Sequence, residues 1–378
     1  MVHRISSIAV LLFLSVCGLG QKDPAATLRI LFAGDIMGHD SQIQAARIDS
    51  SDRYDYSGCF RHLAPCLREA DIAVGNLEVT HAGPPFKGYP RFSSPDELTA
   101  ALREYGFHVM VNANNHALDR GKEGFERTHT VLKDHGMILT GTFRDPGHRE
   151  LSYPLILEKN GILIALLNYT YGTNGIVPDT PNIVNYLDTI LIRQDIQKAD
   201  LVEPDFIIAC IHWGKEYERE ASPEQHQLAE FLFDHGVDAV IGSHPHVIQP
   251  VEFIKTGMYY SRPVVYSLGN FVSNQRNRYR NGGILFGLEL EKRDRTRITG
   301  LDYLPVYVHK PKEGDRYRFE LVPADTPDER LEELGFTTED MDQYIEFVRD
   351  TREHLSNVPP ASLPLLPGGQ SRDPSESE

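Results

Sequence analysis

Apolar positions along this chain follow two rhythms. Largely apolar runs at residues 28–33, 72–75, 109–111, 155–157, 162–168, 206–211, 239–241, 264–267 and 284–290 are short and bounded by polar or turn-forming residues, as buried strands are. Between them, residues 60–69, 95–105, 124–135 and 223–235 carry apolar side chains at three- and four-residue spacing, which predicts helices. Strands that alternate with helices predict an α/β fold. Asn160-Gly161 separates two of the apolar runs and predicts a two-residue hairpin, so the sheet system is mixed. No segment recurs with a period of about 20–50 residues, which excludes a solenoid.

The two ends follow other rules. Arg4 precedes an apolar stretch at residues 8–16, broken by Ser15, that is too short to span a bilayer and fits a secretory signal over residues 1–20. Export to the periplasm or cell envelope is therefore expected. Leu14-Ser15-Val16-Cys17-Gly18 also resembles the box at which bacterial lipoproteins are cut and acylated. A lipid anchor on Cys17, as the chain's link to a membrane, and simple secretion both stay open. Residues 28–300 are expected to form one domain, which 301–356 extend with strands at 304–308 and 319–322 and an acidic helical stretch at 327–353. Residues 357–378, rich in Pro, Ser and Gly, are expected to be a disordered tail.

Composition narrows the function. The 378 residues suffice for one large domain with an appendage. Lys and Arg number 38 against 54 Asp and Glu, a formal net charge of −16, which argues against nucleic acid as a partner because a phosphate backbone needs a basic face. Four cysteines exclude a disulfide-dense scaffold. Cys59 and Cys66, seven apart, would lie on one face of a helix and too far apart to bridge unless that helix breaks at Pro65, and buried thiols are the favoured reading.

The chemistry sits where the predicted strands end. Gly34-Asp35 follows the first run, Asn76 and Glu78 follow the second, and Asn112-Ala113-Asn114-Asn115-His116 follows the third. His212 follows 206–211, and Gly242-Ser243-His244-Pro245-His246 follows 239–241. Ligands gather at the carboxyl ends of strands in α/β sheets, so these residues are expected on one rim. Carboxylate, amide oxygen and imidazole are also donors for divalent transition metals. Two imidazoles flanking a proline of fixed φ have little packing purpose.

These segments, read as Gly34-Asp35-Ile36-Met37, Gly75-Asn76-Leu77-Glu78, Ala113-Asn114-Asn115-His116-Ala117-Leu118-Asp119-Arg120-Gly121, His212-Trp213-Gly214, Gly242-Ser243-His244-Pro245-His246 and Tyr266-Ser267-Leu268-Gly269-Asn270-Phe271, resemble the CapA family. That family comprises proteins of poly-γ-glutamate capsule biosynthesis and belongs to the calcineurin-like metallophosphoesterase superfamily. The resemblance covers residues 28–290. It implies a four-layer α/β/β/α metallophosphoesterase-like fold with two packed mixed sheets. It further implies two divalent metal ions, one held by Asp35 and His246, the other by Asn115, His212 and His244, with Glu78 bridging where the superfamily carries Asp. His116 resembles the histidine that donates a proton to the leaving oxygen, and Asp119 would orient it. Mixed nitrogen and oxygen ligation suits Mn, Fe or Zn better than Ca. Two cations about 3.5–4 Å apart would stabilise an in-line phosphoryl transition state. Their local field would also recruit an anion to an acidic protein.

Two positions depart from the superfamily pattern. Met37 stands where the first motif has a histidine, with His39 and Asp40 nearby as candidate replacements, and Ala117 follows His116 where an acid is usual. Lys87 and Arg91, in a Gly/Pro-rich loop with Tyr89 and Phe92, are candidate clamps for an anionic chain, with solvated loop cations as the alternative. Asn270 is a candidate substrate contact or a structural turn that seats the histidine loop. The resemblance implies an exported metal-dependent hydrolase, phosphoesterase-like, that serves poly-γ-glutamate or another cell-surface anionic polymer and takes a phosphate or carboxylate substrate. The alternative is a non-catalytic accessory subunit of a membrane-bound polymer synthase or exporter.

Overall fold

The computed structural model describes residues 25–48, 52–256 and 260–361. The expected signal segment, with Cys17, and residues 362–378 of the expected tail lie outside the described residues. The chain opens with β1 (Ala26–Ile36) and α1 (Asp40–Ala46), then continues through α2 (Ser57–Phe60), a 3-10 turn at Arg61–Leu63, α3 (Ala64–Glu69) and β2 (Ile72–Leu77). Next come α4 (Glu97–Tyr105), β3 (Val109–Val111), α5 (Gly121–Asp134) and β4 (Ile138–Thr140). The short β5 (Thr142–Phe143) and α6 (Pro146–Ser152) lead to β6 (Leu155–Lys159), β7 (Ile162–Thr170), the short β8 (Ile183–Val184) and α7 (Thr189–Asp200). After these lie β9 (Phe206–His212), α8 (Pro223–Asp234), β10 (Ala239–Ser243), β11 (Val251–Thr256) and β12 (Tyr260–Val265). The last third holds β13 (Asn270–Val272), β14 (Gly282–Lys292), β15 (Thr296–His309), the small hairpin β16 (Lys312–Glu313) and β17 (Arg316–Tyr317), and β18 (Glu320–Pro323). It closes with α9 (Asp328–Glu333) and α10 (Thr338–His354).

Two mixed sheets result. The first runs β18-β15-β14-β1-β2-β3-β4, with β13 paired to the end of β1. Its β1 to β4 half is parallel and its β14, β15, β18 half antiparallel. The second runs β11-β12-β10-β9-β7-β6, with four parallel strands inside and an antiparallel strand at each edge. The predicted Asn160-Gly161 hairpin joins β6 to β7, and its φ values of 54° and 76° are the pair of positive angles that such a turn needs.

Alternation along the second sheet explains why its strands read as unbroken apolar runs. Ile164, Leu166, Ile208, Cys210 and Ile241 enter the core shared with the first sheet. Ala165, Leu167, Ile207, Ala209, Ile211 and Val240 enter a second core with Ile192 and Ile196 of α7 and Leu232 and Phe233 of α8. A strand buried on both faces needs no polar alternation. Leu98 and Leu102 of α4 and Phe347 and Val348 of α10 pack with the first sheet. The order is therefore helix, sheet, sheet, helix.

The structure departs from the sequence pattern within three of the predicted segments. The helix expected at 60–69 is broken into α2, the 3-10 turn and α3, because Pro65 in the first turn of α3 has no N–H to continue a helix from Phe60. The acidic stretch at 327–353 is two helices, separated by Gly335 at φ 79°. The start of the expected tail is ordered against β15: the Ala361 N–H donates to the Tyr303 carbonyl at 2.8 Å and the Tyr303 N–H to the Pro359 carbonyl at 3.3 Å. Prolines lack donors but keep acceptors, and the extended run at 359–361 supplies both partners that Tyr303 needs.

Gly242 is tightly packed near the carboxyl ends of the second sheet. A Cβ there would run into the Tyr266 carbonyl and lie 2.6 Å from Trp213 Nε1, which donates to that same carbonyl at 2.8 Å. Gly242→Ala is expected to cost about 1–3 kcal/mol of unfolding free energy through overpacking. Denaturant titration checks this, and a loss below about 0.5 kcal/mol, the scale of an ordinary surface change, would contradict it.

Candidate functional site

Parallel strands deliver their carboxyl ends to one edge, and both sheets do so at the same rim. Asp35 is the next-to-last residue of β1, Asn76 lies at the end of β2 with Glu78 just beyond, and the Asn112 to His116 loop follows β3. His212 ends β9, while Ser243 ends β10 and leads into His244 and His246. All six expected metal ligands, Asp35, Glu78, Asn115, His212, His244 and His246, are buried. His244 and His246 sit at φ 101° and 58°, a region that non-glycine residues rarely adopt and that the surrounding structure must enforce.

The two carboxylates are joined by one amide. Asn76 Nδ2 donates to Asp35 Oδ1 at 2.8 Å and to Glu78 Oε2 at 3.2 Å. His246 Nδ1 lies 2.9 Å from Asp35 Oδ2, and the His244 N–H donates to Asp35 Oδ1 at 3.3 Å. Glu78 Oε1 has no hydrogen-bond partner, yet stands 3.8 Å from both His212 Nε2 and His246 Nε2. His212 Nε2 lies 3.0 Å from Asn115 Oδ1, and its Nδ1 3.0 Å from Ser243 Oγ. His244 Nδ1 is buried without a partner.

Ligand-type atoms therefore fall into two groups that share a member. Asp35, Glu78 and His246 form one, and Glu78, His212 and His244 the other, each with its donor atoms within 4.8 Å of one another. An orphaned carboxylate oxygen between two imidazoles, together with an orphaned imidazole nitrogen, fits a pair of divalent cations bridged by Glu78.

Burial and neighbours set the charge states. Burial pushes Asp35 upward, but the hydrogen bonds and charges of His246, with the amide of Asn76, outweigh it and hold Asp35 below the usual carboxylate range. Burial, with the Asp35 charge beside it, drives Glu78 well above that range. Burial and the neighbouring His244 push His212 far down, and burial and His246 bring His244 to about 3. Neutral imidazoles are the form that ligates metal.

His116 and Asp119 stand together as expected. His116 Nδ1 lies 2.8 Å from Asp119 Oδ2, which also accepts the Phe92 N–H at 2.7 Å. The Phe92 ring meets the imidazole edge-on at 4.7 Å. Asn114 fixes this loop, accepting the His116 N–H at 3.1 Å and donating to Asn76 Oδ1 at 3.1 Å.

Other expected residues have different roles. Lys87 Nζ lies 3.3 Å from Asp40 Oδ2, so Asp40 holds that cation in its own loop. Arg91 is exposed and bonds no carboxylate among the described residues. Asn270 is an anchor, with Nδ2 donating to the carbonyls of Arg280 at 2.8 Å and His246 at 3.3 Å. Met37 is buried in the main core. His39 does not replace it, because its Nδ1 faces Gln42 Oε1 at 3.1 Å and the Asn274 N–H at 3.3 Å, and it joins neither ligand group. Burial brings His39 to about 4.

The sequence reading missed Tyr171 and Tyr217, which face the histidines. The Tyr171 ring lies 4.6 Å from His244 and is stacked 6.2 Å from His212. Tyr217 is 6.2 Å from His246. The strand-end rule applied to the run ending at Asn168 would have reached Tyr171.

Asn76 is the donor that both carboxylates use. Asn76→Ala is expected to lower the stability of the chelator-treated protein by about 1–3 kcal/mol, the cost of unsatisfied buried acceptors. Unfolding curves in excess chelator check this, and unchanged stability would show that Asp35 and Glu78 do not depend on that amide.

A family model for the bacterial capsule synthesis protein PGA_cap matches residues 29–275. The chain is 30% identical over 235 residues to the capsule biosynthesis protein CapA of Bacillus anthracis, covering 59% of this chain and 56% of that protein. It is 28% identical over 271 residues to the PGA biosynthesis protein CapA of Bacillus subtilis, covering 66% of this chain and 65% of the relative. The chain thus spans between about half and two thirds of the length of these relatives. Among solved structures, NAD nucleotidase of Haemophilus influenzae superposes with a TM-score of 0.50 at 14% identity, covering 87% of this chain and 67% of that one, a likeness of fold.

Proposed function

The chain belongs to the PGA_cap family of bacterial capsule synthesis proteins, and on that premise we propose that it is an exported, metal-dependent hydrolase of phosphoesterase type. It serves poly-γ-glutamate or another anionic polymer of the cell surface. The observation that carries this reading is the pair of ligand groups sharing Glu78, with His116 and Asp119 beside them.

Asp35, Glu78 and His246 would hold one divalent cation, and Glu78, His212, His244 and Asn115 the other. Such a pair supplies Lewis-acid activation of water and neutralises charge that develops on a phosphoryl group. The remaining work belongs to the chain. Asp119 accepts from His116 Nδ1 and stabilises the imidazolium, leaving Nε2 to deliver a proton to the departing oxygen. The Phe92 N–H fixes Asp119, and the Phe92 ring holds the imidazole in place.

One observation favours a second reading, a non-catalytic accessory subunit of a membrane-bound synthase. Met37, where the superfamily's first motif has a histidine, is buried in the core, and His39 does not fill its place. The Asp35 group therefore has one donor fewer.

Elemental analysis of metal-replete protein is expected to find about two transition-metal ions per chain, and their loss in the His244→Ala/His246→Ala double variant. His116→Ala is expected to cut turnover of 4-nitrophenyl phosphate by about 10²-fold or more with metal content unchanged. One ion or none, or an unchanged rate, would overturn the hydrolase reading. Cells carrying His116→Ala that still produce polymer normally would favour the accessory subunit.

A further inference from the structure

The loop between β13 and β14 carries three arginines, Arg276, Arg278 and Arg280, and the fold uses two of them. Arg276 donates through Nη1 to the Val308 carbonyl at 2.6 Å. Arg278 grips the Asp350 carboxylate with two hydrogen bonds of 2.9 and 3.0 Å. The Arg280 guanidinium has neither kind of partner among the described residues. Its central carbon lies 3.7 Å from the centre of the Tyr217 ring.

That stack is built into the rim. The Tyr217 N–H donates to the Pro245 carbonyl at 2.8 Å, inside the histidine loop, and Tyr217 holds φ 70° to do so. The ring of Tyr217 lies 6.2 Å from that of His246. The Asn270 amide donates to the carbonyls of both His246 and Arg280, which locks the two backbones to one side chain. His246, Tyr217 and Arg280 thus form successive layers outward from the ligand groups. Tyr217 is 40% exposed and Arg280 is half-buried, so the outer layers reach solvent in part.

A guanidinium that stacks through its face keeps its N–H edges free, and those edges match a carboxylate or phosphate in two-pronged geometry. Lys87, one of the two loop cations considered from sequence, pairs with Asp40 at 3.3 Å. We propose that Arg280, stacked on Tyr217, is an anion-binding subsite that receives a second carboxylate or phosphate of a chain-like substrate whose reacting group lies at the His246 side. This assignment rests on the polymer-directed reading above. Arg280 is a specificity residue that selects chains bearing charge beyond the reacting group.

Calorimetry on the metal-loaded protein tests it with a γ-linked glutamate trimer and a trimer of the same length that keeps one terminal carboxylate and carries carboxamides at its other positions. Wild type is expected to bind the charged trimer at least about tenfold more tightly, the worth of one charge-assisted contact. Arg280→Ala should bring the two affinities together. Arg280→Gln keeps a planar group over Tyr217 while removing the charge, so it gives the same readout should the alanine variant fail to fold. Tripolyphosphate run in parallel separates the two sources of charge, because the probe that loses more affinity in Arg280→Gln carries the preferred anion. Wild type without preference for either charged probe, or variants that retain it, would overturn the subsite. Binding is read without turnover, so a chain that hydrolyses nothing yet shows the Arg280-dependent preference retains the subsite and loses only the hydrolase reading.

Discussion

Two fully buried carboxylates that share one amide set the terms for the whole rim. Asp35 and Glu78 could not both sit in the interior of a domain without donors aimed at them, because an unpaired buried charge costs several kcal/mol. The sheet supplies those donors through register. β1 and β2 are parallel neighbours, with Asp35 opposite Asn76, and the register shifts between Ala33 and Asp35. Gly34 occupies that irregularity, where a Cβ would strike the Gly269 carbonyl. β13, which begins with Asn270, and the loop that carries His246 can then close on Asp35 from the other side.

The layout of this rim was largely legible in the sequence, and for a physical reason. Strands buried on both faces appear as unbroken apolar runs, and a polar residue at the end of such a run must be leaving the core. That logic locates Asp35, Glu78, Asn115, His116, His212, His244 and His246. It fails where a polar side chain is buried inside an element. Asp195 lies on the buried face of α7, bonded to Arg149 at 2.6 Å and Tyr169 at 2.8 Å, and it interrupts the apolar stripe by which that helix could have been found. It fails again in loops, where no period exists. Nothing in the run Arg276-Asn277-Arg278-Tyr279-Arg280 tells which arginine is committed to structure, since Val308 and Asp350 lie about thirty and seventy positions away.

The histidine loop shows how a rigid frame sustains an unfavourable backbone. His244, His246 and Tyr217 all take positive φ within one small region. Each is held by bonds that do not involve its neighbours in sequence: Asp35 for the two histidines and the Pro245 carbonyl for Tyr217. The strain of such residues, of order 1–3 kcal/mol each, is offset by contacts from strands of both sheets. The rim is therefore a place where the two sheets depend on each other through polar bonds as well as through the shared core.

The central place of β1 has a mechanical consequence. From Ala26 to Ala33 this strand pairs antiparallel with β14, and from Ile30 onward it pairs parallel with β2. A pull on its N-terminal side would load both ladders along their length, so their hydrogen bonds would resist together instead of opening one by one. The strand under tension is also the one that carries Asp35 near its far end. A tether on the N-terminal side would act on a strand paired along both edges, and would couple that load directly to the carboxylate around which the rim is organised.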